Sequence, residues 1–164
     1  MPDGTFEHTT VEIAPMTKGT ILKFGAQFYE DELGEVPATS IVYSGETYFV
    51  KVTWWFEGNL ALPRHFCGKW QVKIDLESIG TAREYTSDVI TVPMEPCQKD
   101  EDEYHVVFRV KASHLDPHPV GTVYLPAVTL ATEDPCGHSG HMWGYCEGPS
   151  VMFIEAVPHV PPGP

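Results

Sequence analysis

Residues 69–77 read "KWQVKIDLE", and apolar and polar side chains alternate without exception. Trp70, Val72, Ile74 and Leu76 fall on one side, while Lys69, Gln71, Lys73, Asp75 and Glu77 fall on the other. Successive side chains of an extended chain point to opposite faces, so this is a strand with one buried and one wet face. On a helix, positions two apart lie on opposite sides, and the same residues would form no stripe.

The pattern spreads outward from there. "YFVKVTWWFE" (48–57) groups Tyr48, Val50, Val52, Trp54 and Phe56, and "YHVVFRVKA" (104–112) groups Tyr104, Val106, Phe108, Val110 and Ala112. Less regular strand candidates are "TVEIA" (10–14), "ILKFGAQFY" (21–29), "SDVITVPM" (87–94), "GTVYLPAVTLAT" (121–132) and "SVMFIEAV" (150–157). Turn-forming clusters separate them: "SGE" at 44, "EGN" at 57, "SIGTA" at 78 and "PVGT" at 119. No window keeps apolar residues at spacings of three and four over a helical length, and the best short one, "ASHLDPH" (112–118), is stopped by proline. The spacing predicts an all-β chain of about eight strands with little or no helix, folded as an antiparallel β-sandwich. Residues 1–157 read as a single domain. Residues 158–164, "PHVPPGP", read as an extended proline-rich tail that cannot pair as a central strand.

Composition narrows the function classes. The 164 residues are 42% hydrophobic and 12% aromatic, enough for one globular core. A formal net charge of −13 disfavours nucleic acid and anionic membrane surfaces as partners. The first residues, "MPDGTFEHTTVEIAPM", have neither the basic start nor the apolar run of a signal peptide, so a cytoplasmic location is expected. In that compartment Cys67, Cys97, Cys136 and Cys146 are expected to be reduced unless their geometry shows otherwise.

The segment "FRVKASHLDPHPVGTVYLPAVTLAT" (108–132) resembles the entry to a late strand of immunoglobulin-like and fibronectin-type sandwiches. There an apolar residue, here Leu115, precedes a loop, and Gly-x-x-Tyr, here Gly121 to Tyr124, opens the next strand. The resemblance implies that the Tyr124 hydroxyl ties to nearby backbone at that corner. It covers about 25 residues and concerns the fold alone. The cysteine and tryptophan spacing of antibody domains is missing, since Trp70 follows Cys67 by only three residues. Pro126 lies inside the strand and implies an edge or a bulge there.

The densest chemistry is "PCGHSGHMWGYCEGP" (135–149), expected to be a loop between the strands "GTVYLPAVTLAT" and "SVMFIEAV". Cys136, His138, His141 and Cys146 are ligand types that zinc prefers, and they would close a tetrahedral site. A Cys136–Cys146 disulfide across the base of the loop is the second reading, and a glycine-rich turn with free thiols is the third. The acidic runs 29–35 and 97–105 lack the spacing of a calcium loop and read as solvated acids, and "HLDPH" (114–118) reads as a turn. Trp55 should face outward if Trp54 faces the core, and it is taken with Trp143 as a candidate interaction residue.

No nucleophile elbow, phosphate-cradling loop or His-Glu-x-x-His motif is present. The leading reading is therefore a non-catalytic interaction or structural subunit, self-associating or built into a larger assembly, without a cofactor and with protein as its partner. The alternative is a zinc-binding protein or metal-assisted enzyme centred on residues 136–146. A weaker alternative is a carbohydrate-binding module using Trp55 or Trp143.

Overall fold

A computed structural model describes residues 21–38, 40–43, 46–57, 68–94, 103–111, 114–115 and 121–154. The expected strand at 10–14, the tail 158–164, Cys67 and Cys97 lie outside these residues. Among the described residues the structure is all-β with essentially no helix. Its strands are β1 (Ile21–Tyr29), β2 (Ile41–Tyr43), β3 (Tyr48–Glu57), β4 (Lys69–Ile79), β5 (Tyr85–Thr86), β6 (Ile90–Pro93), β7 (Tyr104–Val110), β8 (Val123–Glu133), β9 (Ser139–Glu147) and β10 (Val151–Ile154). Among the described residues, no helix is long and apolar enough to cross a membrane.

Two sheets form. The smaller runs β1-β3-β7, all antiparallel. The larger has seven strands in the order β2-β10-β8-β4-β5, with β6 added beside β4 and β9 beside β8. One pair departs from the expected antiparallel pattern: β2 joins β10 in parallel, Ile41 opposite Met152.

The alternating residues meet between the sheets. Val50, Val52 and Trp54 of β3 and Val106, Phe108 and Val110 of β7 are buried. They share one core with Trp70, Val72, Ile74 and Leu76 of β4 and with Tyr124, Val128 and Leu130 of β8. Aromatic rings join the layers. Trp54 meets Trp70 edge-on at 5.9 Å and stacks on Tyr104 at 5.4 Å, and Tyr48 meets Phe153 edge-on at 5.1 Å. The two-sheet layout is sandwich-like.

β8 is not an edge strand. It pairs with β4 over its whole length, from Val123 opposite Ile79 to Glu133 opposite Lys69. Its other side is divided: Val123 and Tyr124 face β10, and Ala127 to Glu133 face β9. Pro126 sits at the division. Its carbonyl accepts from the Gly148 amide at 2.8 Å, so its nitrogen, which has no hydrogen to give, points to the same side, where one neighbour ends and the next has not begun. Proline is thus tolerated in a central strand, and the chain beside it carries one extra residue, since 148–150 span the two positions 125 and 126 between Glu147 opposite Ala127 and Val151 opposite Tyr124. The β8–β9 ladder does shift register later, between Ala131 and Glu133.

The Tyr124 hydroxyl donates to the backbone carbonyl of Arg83 at 2.8 Å, in a segment just before β5 and distant in sequence. Leu115 is buried.

Trp70→Ala is expected to remove about 3–5 kcal/mol of unfolding free energy, because it empties the centre of the ring cluster. Leu33→Ser, at a side chain 70% exposed in the turn after β1, should stay within about 0.5 kcal/mol. Urea denaturation of the two variants beside the parent chain checks the contrast.

Candidate interaction surface

The stretch 135–149 is mostly strand rather than loop. β9 covers Ser139–Glu147 and pairs antiparallel with β8, so only residues 134–138 turn. Asp134 organises that turn. Its Oδ1 accepts from the Cys136 amide at 2.8 Å and the His138 amide at 2.9 Å, and Oδ2 lies 3.2 Å from His138 Nδ1. The Asp134 carbonyl accepts from the Gly137 amide at 3.0 Å, and Gly137 takes φ 84°, a conformation that suits glycine. The His138 amide above all, then its ring and the Cys136 amide, hold the Asp134 carboxyl below its ordinary value. The turn after β1 uses the same device. Asp31, in the first acidic run, accepts from the amides of Leu33, Glu35 and Val36, the last at 2.6 Å.

The four zinc or disulfide candidates do not converge. Cys136 is exposed in the turn, whereas Cys146 is buried in the core opposite Val128, and both are free thiols. Val128 is five residues along β8 from Glu133, at the mouth of the turn, which puts about 16 Å between the two cysteines, against about 7 Å at most for a disulfide. The strand is the reason: the register that turns Trp143 and Tyr145 outward turns Cys146 inward. Burial, then the Glu147 carboxylate, pushes the Cys146 thiol up to about 12, which opposes the thiolate a metal requires. His138 faces Asp134, and the side chain of His141 lies outside the described residues. Among the described residues, no group of three or more His, Cys, Asp or Glu side chains is placed to hold a metal ion.

The two tryptophan candidates lie on opposite outer faces. Trp55 stands on the smaller sheet, opposite Lys23 of β1, and is half-buried rather than outward and open. Thr53, on the same side of β3, is 1% exposed, so this face is covered. Trp143 stands on the outer face of the larger sheet, 54% exposed, two residues before Tyr145 at 44%. The Tyr145 hydroxyl donates to Glu147 Oε1 at 2.9 Å; burial first, then this carboxylate, pushes its pKa up to about 12.

The same outer face carries a feature that alternation in single strands does not reveal. Ile79 of β4 is opposite Val123 of β8, Val123 is opposite Met152 of β10, and Met152 is opposite Ile41 of β2. Four aliphatic side chains thus form one row across four strands. Ile79, Met152 and Ile41 are 66%, 42% and 47% exposed. Tyr43, beside the row on β2, is exposed, and Ile154 of β10, its register partner, is partly so. Contiguous exposed apolar surface of this kind marks contact sites in soluble proteins. Two sequence signals pointed to it. Ile79 breaks the polar run of β4's wet side, and "VMFI" (151–154) is apolar on both faces.

No protein-family model and no curated protein matches the sequence. Among solved structures, a β-glucosidase from Listeria innocua is similar at 12% identity and TM-score 0.44, covering 84% of this chain and 17% of that one. The same enzyme in complex with isofagomine is similar at 13% identity and TM-score 0.43, covering 83% and 17%. The chain therefore spans about a sixth of the length of those proteins.

Two outcomes follow from the turn and strand geometry. Peptide mapping after mild oxidation should recover no Cys136–Cys146 bridge, and Cys136→Ser should leave stability unchanged under oxidising conditions. The depressed Asp134 pKa means that its stabilisation of the turn is complete above the unfolded value of 3.8 and is lost as pH falls through the lower folded value. Protection factors of the Cys136 and His138 amides should drop on that acid side in the parent chain. In Asp134→Ala they should be low throughout.

Proposed function

We propose that this chain is a non-catalytic association module of immunoglobulin-like sandwich type, whose working surface is the outer face of the larger sheet. The observation that carries the reading is the Ile79–Val123–Met152–Ile41 row, with Trp143 and Tyr145 exposed on the same face. Exposed apolar side chains in one register row, rimmed by Lys73, Asp75 and Glu77 on β4, have the composition of a protein contact site: an apolar centre with a charged margin. The partner is protein. A net charge of −13 works against nucleic acid and anionic membranes. The metal-assisted alternative loses support because Cys146 points into the core.

A second reading has one observation in its favour. Trp143 and Tyr145 lie side by side on a flat sheet face near Gln71 and Thr129, an arrangement that suits stacking and hydrogen bonding to a glycan. Binding to a glycan array that disappears in Trp143→Ala and persists in Met152→Lys would replace the association reading.

Chemical cross-linking in native extract tests the main reading. The parent chain should appear in adducts above its own 18.3 kDa, and Met152→Lys and Ile79→Glu should lose them while keeping a strand-type circular dichroism spectrum. Absence of adducts from the parent chain, or adducts unchanged in both variants, would sink it.

A further inference from the structure

The outer face of the larger sheet has a direction. Along β4 its side chains run Lys69, Gln71, Lys73, then Asp75, Glu77 and Ile79, basic at one end and acidic and then aliphatic at the other. On the neighbouring strands the aromatic and aliphatic side chains separate in the same direction, although the carboxylates do not: Glu133 of β8 pairs with Lys69 at 3.7 Å, and Glu147 of β9 is level with Asp75. Beside the basic end stand Trp143 and Tyr145, since Trp143 is opposite Ala131, and Ala131 is opposite Gln71. Beside the acidic end stand Val123, Met152 and Ile41. One end thus offers aromatic rings and Lys73; the other offers aliphatic side chains and Glu77.

We propose that the occupant of this face is a second copy of the chain, docked face to face about a two-fold axis that runs across the strands and reverses their direction. This rests on the association reading above and names its partner. A two-fold contact must be self-complementary, because each patch meets its own opposite. Reversal supplies that. It lays Trp143 of one copy over Met152 of the other and Lys73 over Glu77 of the partner β4, while Asp75, level with the axis, keeps Lys73 of its own copy at 3.2 Å. The same reversal is made twice, once on each side of the axis. Stacking the copies with strands in the same direction would instead set lysine over lysine and acid over acid, which is unfavourable.

Size agrees. At each end the face is four strands wide, and β4 and β8 are eleven residues long. At about 4.8 Å per strand and 3.3 Å per residue this is on the order of 700 Å², close to the roughly 800 Å² per partner of a standard stable interface. Sheets also pack face to face readily when their strands are nearly aligned. Ala127, Thr129 and Ala131 along the middle of β8 are short enough to let a second sheet approach.

The purified full chain provides the test. Light scattering should give twice 18.3 kDa at high concentration. Met152→Lys should weaken the dimer roughly 30-fold or more, by placing a charge in its apolar contact. Lys73→Glu should weaken it about tenfold, and Lys73→Glu combined with Glu77→Lys should restore most of the loss. The orientation has its own readout. Residues 143 and 152 lie in rows eight residues apart along β8, about 26 Å within one copy, so Trp143→Cys with Met152→Cys can bridge only between copies. In a Cys136→Ser background the double variant should yield a covalent dimer on mild oxidation, and neither single variant should. A strict monomer, or a dimer whose mass ignores Met152→Lys, overturns the proposal. A dimer without the 143–152 bridge overturns the reversed orientation. Should the purified chain be monomeric while the extract adducts persist, self-pairing falls and the association reading stands.

Discussion

The hydrogen that Pro126 lacks divides the larger sheet. β8 bonds to β4 throughout on one side, but on the other it has no donor to offer at Pro126. The chain answers with two neighbours in series. β9 runs alongside until Glu147, the Gly148 amide bonds across to the Pro126 carbonyl, and β10 takes over in the same direction at Val151. Gly148 is required at that handover: a Cβ there would lie 2.6 Å from the Ala26 carbonyl oxygen and 2.9 Å from the Pro126 ring. Both ends of the outer face hang on this division. Trp143 and Tyr145 are presented by the strand that stops, Met152 and Ile154 by the strand that starts.

Strand positions with one polar and one apolar face were legible. β3, β4 and β7 appear almost where alternation put them, because burial on one side alone leaves a period of two in the sequence. β9 was not legible as a strand. Its inward positions are Gly144 and Cys146 and its outward ones Trp143 and Tyr145, so the apolar signal is inverted. A row of glycines, cysteines and histidines invites a chemical reading, and no local rule reports that β8 supplies the missing ladder. β2 and β5, at three and two residues, are too short to carry a period at all. The aliphatic row was legible only in its parts, the lone Ile79 and the two-sided apolar 151–154: register between strands joins Ile79, Val123, Met152 and Ile41, and register is a tertiary property. Trp55 illustrates the opposite limit. Alternation named its side of the strand correctly but says nothing about what covers that side.

Acidic residues proved structural where the sequence offered only solvated charge. Asp31 and Asp134 each gather backbone amides after a long strand, one behind β1 and the other behind β8. A carboxylate has several acceptor sites and no donor, which suits a tight turn whose amides all point inward. The negative charge of the chain is thus partly the means by which two of its turns are closed compactly.

The parallel pairing of β2 with β10 carries a consequence for how the molecule is made. β2 precedes nearly all of the larger sheet in sequence, yet its partner is the last strand to be described. On the ribosome, β2 has nothing to bond to until almost everything else has emerged, and its closure over such a long loop is entropically slow. Until then Val42 has no slot beside Phe153, and one flank of the sheet stands open in a nascent chain already rich in valine and isoleucine. Brevity is the safeguard: a three-residue segment is a poor template for a stranger's strand. Completion of this small joint is what closes that flank of the larger sheet.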